Sequence, residues 1–299
     1  MTDPHALSRR GFLTAVGAAA TTAALKPLSV LRSAEAADAG RRPNVVMIVS
    51  DDHGWPDYSF MGHPHVQTPN LDKLAAQSVT FTRGYVPSAL CCPSLASIIT
   101  GLYPHQTKIT CNDPPLDVTK LGAKSEVYQA QRRQMSEFID QAPALPRTLA
   151  EQGYVSFQTG KWWQGHFSHG GFTHGMSHGD PNQGGRHGDA GLGIGRQTMQ
   201  PIFDFIEMAG KERKPFFVWY APMMPHLPHN PPARLADKYK PKTPSSFIAD
   251  YWAMVEWFDE TCGQLLDRLD QKGLAENTIV VYVTDNGWIQ RADRRGASP

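Results

Sequence analysis

Three things are scarce in this 299-residue chain: an excess of charge of either sign, cysteine, and long hydrophobic runs. With 29 basic against 28 acidic residues, the formal net charge is only +1. A nucleic-acid partner calls for a basic excess or stripe, so none is expected. Four cysteines, Cys91, Cys92, Cys111 and Cys262, are too few for a disulfide scaffold of this length. No stretch approaches the ~20 apolar residues that span a bilayer. What is present, 40% hydrophobic and 19% charged residues, excludes collagen-like, coiled-coil and disordered classes. The 26 glycines and 24 prolines point to a loop-rich globular fold, long enough to bury a sizeable core.

The first 36 residues read as an address. Ser8-Arg9-Arg10-Gly11-Phe12-Leu13 resembles a twin-arginine signal, followed by a mildly apolar stretch over 12–25 that is too short to cross a membrane. Ala34-Glu35-Ala36 fits the small-x-small pattern of a cleavage site, and an ordinary amphipathic first helix is the alternative. The expected partner is the twin-arginine export machinery, which carries folded proteins, and the expected location is periplasmic or secreted.

Beyond the leader, strands and helices alternate. Val45-Val46-Met47-Ile48-Val49 is an unbroken apolar run ending in Ser50-Asp51-Asp52, as in a strand covered on both faces. Further strands are expected over 79–82, 154–157, 215–220 and 279–284. Helices are expected over 69–77, from Pro93 to Gly101, and over 145–152, 202–208 and 247–269. Residues 112–143 look like a polar insertion, and 165–195 like a long Gly- and His-rich loop. This order predicts an α/β fold with a doubly wound, mostly parallel sheet and helices on both faces.

Ligands in such sheets bind outside the carboxyl ends of the strands. Two strands end there in Asp51-Asp52 and Asp285-Asn286, an all-oxygen set that suits Ca²⁺, and next Mg²⁺, better than zinc. Either pair could instead cap a turn. Cys91-Cys92-Pro93-Ser94 opens a helix, where free N–H groups bind anions and lower a thiol's pKa. A buried apolar pair, or a disulfide to Cys111 or Cys262, is the alternative.

Taken in order, residues 44–52, Cys91-Cys92-Pro93-Ser94 through Thr100-Gly101, Gly160-Lys161-Trp162 and residues 281–287 resemble the sulfatase family of the alkaline-phosphatase-like superfamily. The resemblance spans about residues 43–288. It implies hydrolysis of sulfate esters on a sulfated carbohydrate or aryl sulfate. In that family a formylglycine-generating enzyme oxidises the first Cys of Cys-x-Pro-Ser-Arg, and the hydrated aldehyde attacks sulfur beside Ca²⁺. Carried over, the metal ligands are Asp51, Asp52, Asp285, Asn286 and the modified Cys91. Lys161 holds a sulfate oxygen, and His226 in Pro225-His226-Leu227-Pro228 serves the leaving-group oxygen. His229 lies three residues on.

Three departures accompany the resemblance. Leu95 stands where the family has Arg, and Trp163 where it has His. The family also continues past this stop with a second sulfate-binding Lys and a small C-terminal domain. The catalytic domain over 43–299 is therefore expected to be incomplete at that end, with its last strand inside the sheet and apolar area exposed. Two other readings remain open: a phosphodiesterase or phosphonate monoester hydrolase of the same superfamily, and a non-catalytic binder of sulfated glycans. The cluster His166, His169, His174, His178 and His187 matches no tight zinc spacing, and a substrate-facing lid is the expectation for it.

Overall fold

The computed structural model describes residues 42–299 apart from 163–164, 180–186, 295 and 297–299. The leader reading on residues 1–36 and the departure at Trp163 therefore lie outside the described residues. In chain order the main elements are β1 (Asn44–Ser50), α1 (Pro69–Ala76), α2 (Cys91–Thr100), α3 (Glu126–Glu137), α4 (Leu145–Ala150), β2 (Val155–Gly160) and β3 (His174–Gly175). These are followed by α5 (Gln200–Lys211), β4 (Phe216–Ala221), α6 (Ala233–Tyr239), α7 (Ser246–Gln271) and β5 (Thr278–Thr284).

The five strands form one sheet in the order β3-β2-β4-β1-β5, every pairing parallel. Alternation along the strands divides the core into two layers. Val46 and Ile48 of β1 and Phe216, Val218 and Tyr220 of β4 face Phe205 and Ile206 of α5 and Met254, Phe258 and Leu265 of α7. Met47 and Val49, with Phe217 and Trp219, face Leu95 and Ile99 of α2 and Met135 of α3. Strands buried on both faces require the continuous apolar runs seen in β1 and β4. Each such side chain contributes about 1.5–3 kcal/mol on burial. The doubly wound α/β architecture is as expected.

Several local expectations are corrected. Residues 79–82 form no strand; Val79 and Phe81 are 79% and 82% exposed. A run of β-branched and aromatic residues makes a strand only where a ladder partner and a face to pack on exist. The helix expected at Pro93 begins two residues earlier, with Leu90 as its cap. The polar stretch 112–143 contains α3, whose Ser125 side chain accepts the Tyr128 N–H as an N-cap. The last strand, β5, sits at the edge of the sheet and pairs only with β1 among the described residues. Its outward residues Ile279 and Val281 are 52% and 38% exposed. Among the described residues, no helix is long and apolar enough to cross a membrane.

Candidate active site

Register builds the site. β1 and β5 run in phase, Ser50 opposite Thr284, so Asp51-Asp52 and Asp285-Asn286 leave the sheet side by side. The Asp285 N–H donates to the Ser50 carbonyl at 2.9 Å. Asp52 takes a left-handed φ of 55°, a conformation open to Asp at modest cost, and its N–H donates to Asp285 Oδ1 at 3.2 Å. On the other flank, the Asp51 N–H donates to the Met224 carbonyl at 3.0 Å, tying the loop after β4 to the same edge.

Gly160 closes β2 at a point where a Cβ would lie 2.0 Å from the Ala221 carbonyl oxygen, so only glycine lets the two strand ends approach. Lys161 follows and turns inward. Its Nζ lies 2.9 and 2.8 Å from the two Asp51 carboxylate oxygens and 3.2 Å from Cys91 Sγ. Cys91 is the first residue of α2 and only 6% exposed, with Sγ 3.7 Å from Asp51 Oδ1. His226 Nε2 lies 3.4 Å from Asp52 Oδ2. Its Nδ1 is 2.6 Å from the Leu227 carbonyl, which can only accept, so Nδ1 carries the proton and Nε2 faces the carboxylates. Asp51, Asp52, Cys91 and His226 offer ligand atoms within 4.8 Å of one another.

The electrostatics are those of a crowded acidic pocket. Burial would raise the Asp51 carboxyl, but the Lys161 ammonium and then His226 outweigh it and hold it below its usual range. Burial, and then the neighbouring Asp51, push Asp52 up and Asp285 well up. Burial pulls Lys161 down, but Asp51, Cys91 and Asp285 more than reverse this, so it stays charged. Burial and the Asp51 charge push the Cys91 thiol far up. This corrects the expectation that a helix N-terminus lowers it: partial dipole charge loses to burial and then to the Asp51 charge close by. Asp285 Oδ2 is buried without a hydrogen-bond partner. A repelling set of buried carboxylates with such an oxygen fits a divalent cation.

The structure thus brings together Asp51, Asp52, Cys91, Lys161, His226, Asp285 and Asn286. Asn286 differs in detail: its amide turns Nδ2, not its oxygen, toward Asp52 Oδ1, at 2.8 Å. Cys92 points elsewhere, with Sγ 3.1 Å from His187 Nδ1 and its N–H donating to Asn112 Oδ1 at 2.9 Å. Cys91 and Cys92 are both free thiols. His229 packs on Tyr251 and Trp288, with ring centroids 5.5 and 6.4 Å away. The described parts of the His-rich segment, 165–179 and 187–195, are folded: Asp189 accepts the His178 and Gly179 N–H groups, and His169 pairs with Asp140 at 2.7 Å. One feature escaped the sequence reading altogether. The Ser94 hydroxyl donates to the Asp285 carbonyl and fixes α2 against the end of β5.

The sulfatase family model matches residues 43–292. The chain belongs to the sulfatase family. It is 29% identical to the N-acetylgalactosamine-6-sulfatase of Canis lupus familiaris over 84% of its own length and 51% of that protein. To human arylsulfatase A it is 28% identical, over 86% of this chain and 55% of the relative. The chain spans about half the length of these curated relatives. In fold it resembles a solved protein in complex with its substrate D-glucosamine-2-N,6-O-disulfate. That likeness has a TM-score of 0.60 at 22% identity, covering 83% of this chain and 66% of the other. Within the sulfatase fold Leu95 is 1% exposed and packs with Val49, Ile99 and Trp219, so an apolar contact stands where the family's Arg was expected.

Proposed function

We propose that this protein hydrolyses sulfate esters, with a sulfated carbohydrate as substrate and aryl sulfates as surrogates. The observation that carries the reading is Cys91, set at the head of α2 within 3.2 Å of the Lys161 ammonium and 3.7 Å of Asp51. A thiol held protonated there is a poor nucleophile, which supports its conversion to formylglycine by a modifying enzyme. Asp51, Asp52, Asp285 and Asn286, with the modified residue 91, would hold Ca²⁺, or Mg²⁺ as second choice. The ion would neutralise the carboxylates and act as a Lewis acid toward a sulfate oxygen. Lys161 supplies a fixed positive charge for a second sulfate oxygen. His226, with its Nδ1 proton committed to Leu227, presents Nε2 to the departing sugar oxygen and gives that oxygen a proton from its doubly protonated form. Export by the twin-arginine route belongs to the same reading and is supported by Ser8-Arg9-Arg10-Gly11-Phe12-Leu13.

A second reading, a binder of sulfated glycans without turnover, is favoured by one observation: Leu95 is buried among apolar side chains where the family's Arg was expected. Mass analysis of the peptide carrying Cys91, together with hydrolysis of an aryl sulfate by the exported protein, separates the two. Conversion of the thiol-bearing CH₂ to an aldehyde, with turnover, supports the hydrolase. An intact thiol with sulfated-glycan binding and no turnover supports the binder.

A further inference from the structure

The loop over 222–232 carries His226, and five of its residues are proline: Pro222, Pro225, Pro228, Pro231 and Pro232. Each proline removes an N–H donor, so the loop cannot satisfy its own carbonyls by regular pairing. One side chain takes three of those carbonyls. Arg196 donates to the Met223 carbonyl through Nε at 2.9 Å and Nη2 at 2.6 Å, and to the His226 carbonyl through Nη2 at 2.6 Å. It also donates to the Pro228 carbonyl at 3.2 Å and to Asn230 Oδ1 at 2.6 Å through Nη1. A single planar guanidinium thus grips the main chain before, at and after His226, using the rigid fork that lysine lacks.

The turn that presents Arg196 is itself seated on this loop. Ile194 pairs with Thr198, Gly195 adopts φ +74°, and a Cβ there would meet Tyr220 Oη at 2.8 Å, Pro222 Cβ at 3.1 Å and Met224 Sδ at 3.4 Å. The Asp51 N–H in turn donates to the Met224 carbonyl. The His226 loop is held between a carboxylate-bearing strand end and one arginine.

We propose that Arg196 is the positioning residue for His226: by fixing the His226 carbonyl and its flanking peptides, it keeps Nδ1–H on Leu227 and Nε2 aimed at the reacting edge. This rests on reading His226 as the leaving-group acid. Sequence gives no cue to it, because its partners are main-chain oxygens and one amide.

The test uses the full chain, ¹⁵N-labelled, with long-range ¹H–¹⁵N spectra of the histidines read beside aryl sulfate kinetics. In its neutral form the wild-type His226 should be one tautomer, protonated at Nδ1. In Arg196→Gln that signal should become a tautomer mixture while the His53 signal stays put. On an aryl sulfate, kcat should drop about tenfold to a hundredfold, as expected for a misplaced catalytic group, with KM within about threefold. Arg196→Lys should recover part of both effects. Should Arg196→Gln fail to fold, Asn230→Ala, which removes one partner only, should still broaden the His226 signal. An unchanged His226 tautomer in a folded Arg196→Gln overturns the proposal, whatever the kinetics. A shifted tautomer in a chain that never hydrolyses sulfate esters leaves the clamp standing and removes the hydrolase reading. Turnover with no tautomer or kcat change does the reverse.

Discussion

Adjacent cysteines at the head of one helix meet opposite surroundings. Cys91 faces Lys161 and Asp51, while Cys92 turns its thiol to His187. Cys91→Ala should therefore abolish aryl sulfate hydrolysis, and Cys92→Ala should retain most of it; the opposite outcome would reassign the nucleophile position. The carboxylates offer a second residue-level test, with a sign that reverses. Burial and Asp51 make the ionised Asp285 unfavourable in the metal-free protein, so the neutral Asp285→Asn should be at least as stable as wild type in chelator. Added Ca²⁺ should raise the wild-type melting temperature and leave the variant nearly unmoved, because only a ligand that binds the native state stabilises it. Melting curves with and without Ca²⁺ decide the point, and an equal Ca²⁺ response in both proteins would place the ion elsewhere. These acidic residues were legible because each pair ends an apolar, β-branched run that reads as a strand. Arg196 was not, since bonds to main-chain carbonyls leave no mark on the partner's sequence.

Among the elements, α7 shows how one side chain can start another helix. Asp259 accepts the Asn70 N–H at 3.1 Å, the Asn70 amide at 2.8 Å and the Leu71 N–H at 2.8 Å, satisfying donors at the exposed start of α1. Burial nevertheless lifts its carboxyl from the usual 3.8 to about 6. Between those two values the folded protein keeps a proton that the unfolded chain has released, so this group's contribution to stability falls as pH rises through that window. At about 1.4 kcal/mol per pKa unit, the stability difference between wild type and Asp259→Asn should shrink by about 2–3 kcal/mol from pH 4 to 7. Urea unfolding at both pH values measures it, and a gap that widens with pH would show the hydrogen bonds outweighing burial. The sequence foretold α1 and α7 from apolar spacing but not this link, which joins residues 189 positions apart. The same limit explains residues 79–82: alternation marks a surface able to pair, and pairing depends on what lies beside it. Helix α3 was hidden for the converse reason: it is polar nearly throughout and buries only Tyr128, Met135 and Ser136, so few apolar residues mark its inner face.

Across the whole molecule, the order β3-β2-β4-β1-β5 puts the first strand of the sheet beside the last, joining residues 234 positions apart. The acidic edge is complete only once Asp285 and Asn286 have been synthesised. At about 5–20 residues per second, roughly 10–40 s separate the appearance of Cys91 from that of Asn286. In the finished fold Cys91 is 6% exposed beneath Lys161 and Asp51, out of reach of another enzyme's active site. A formylglycine-generating enzyme should therefore convert Cys91 in chains stalled before residue 278 and leave the folded 299-residue protein untouched, as read by the mass of the Cys91 peptide. Equal conversion of both would show that α2 opens in the native state. On the formylglycine reading strand order would act as a clock: the interval in which the thiol stays in the open would close when β5 arrives to hold α2 through Ser94 and Asp285, and a faster ribosome would leave more molecules sealed with their chemistry unfinished.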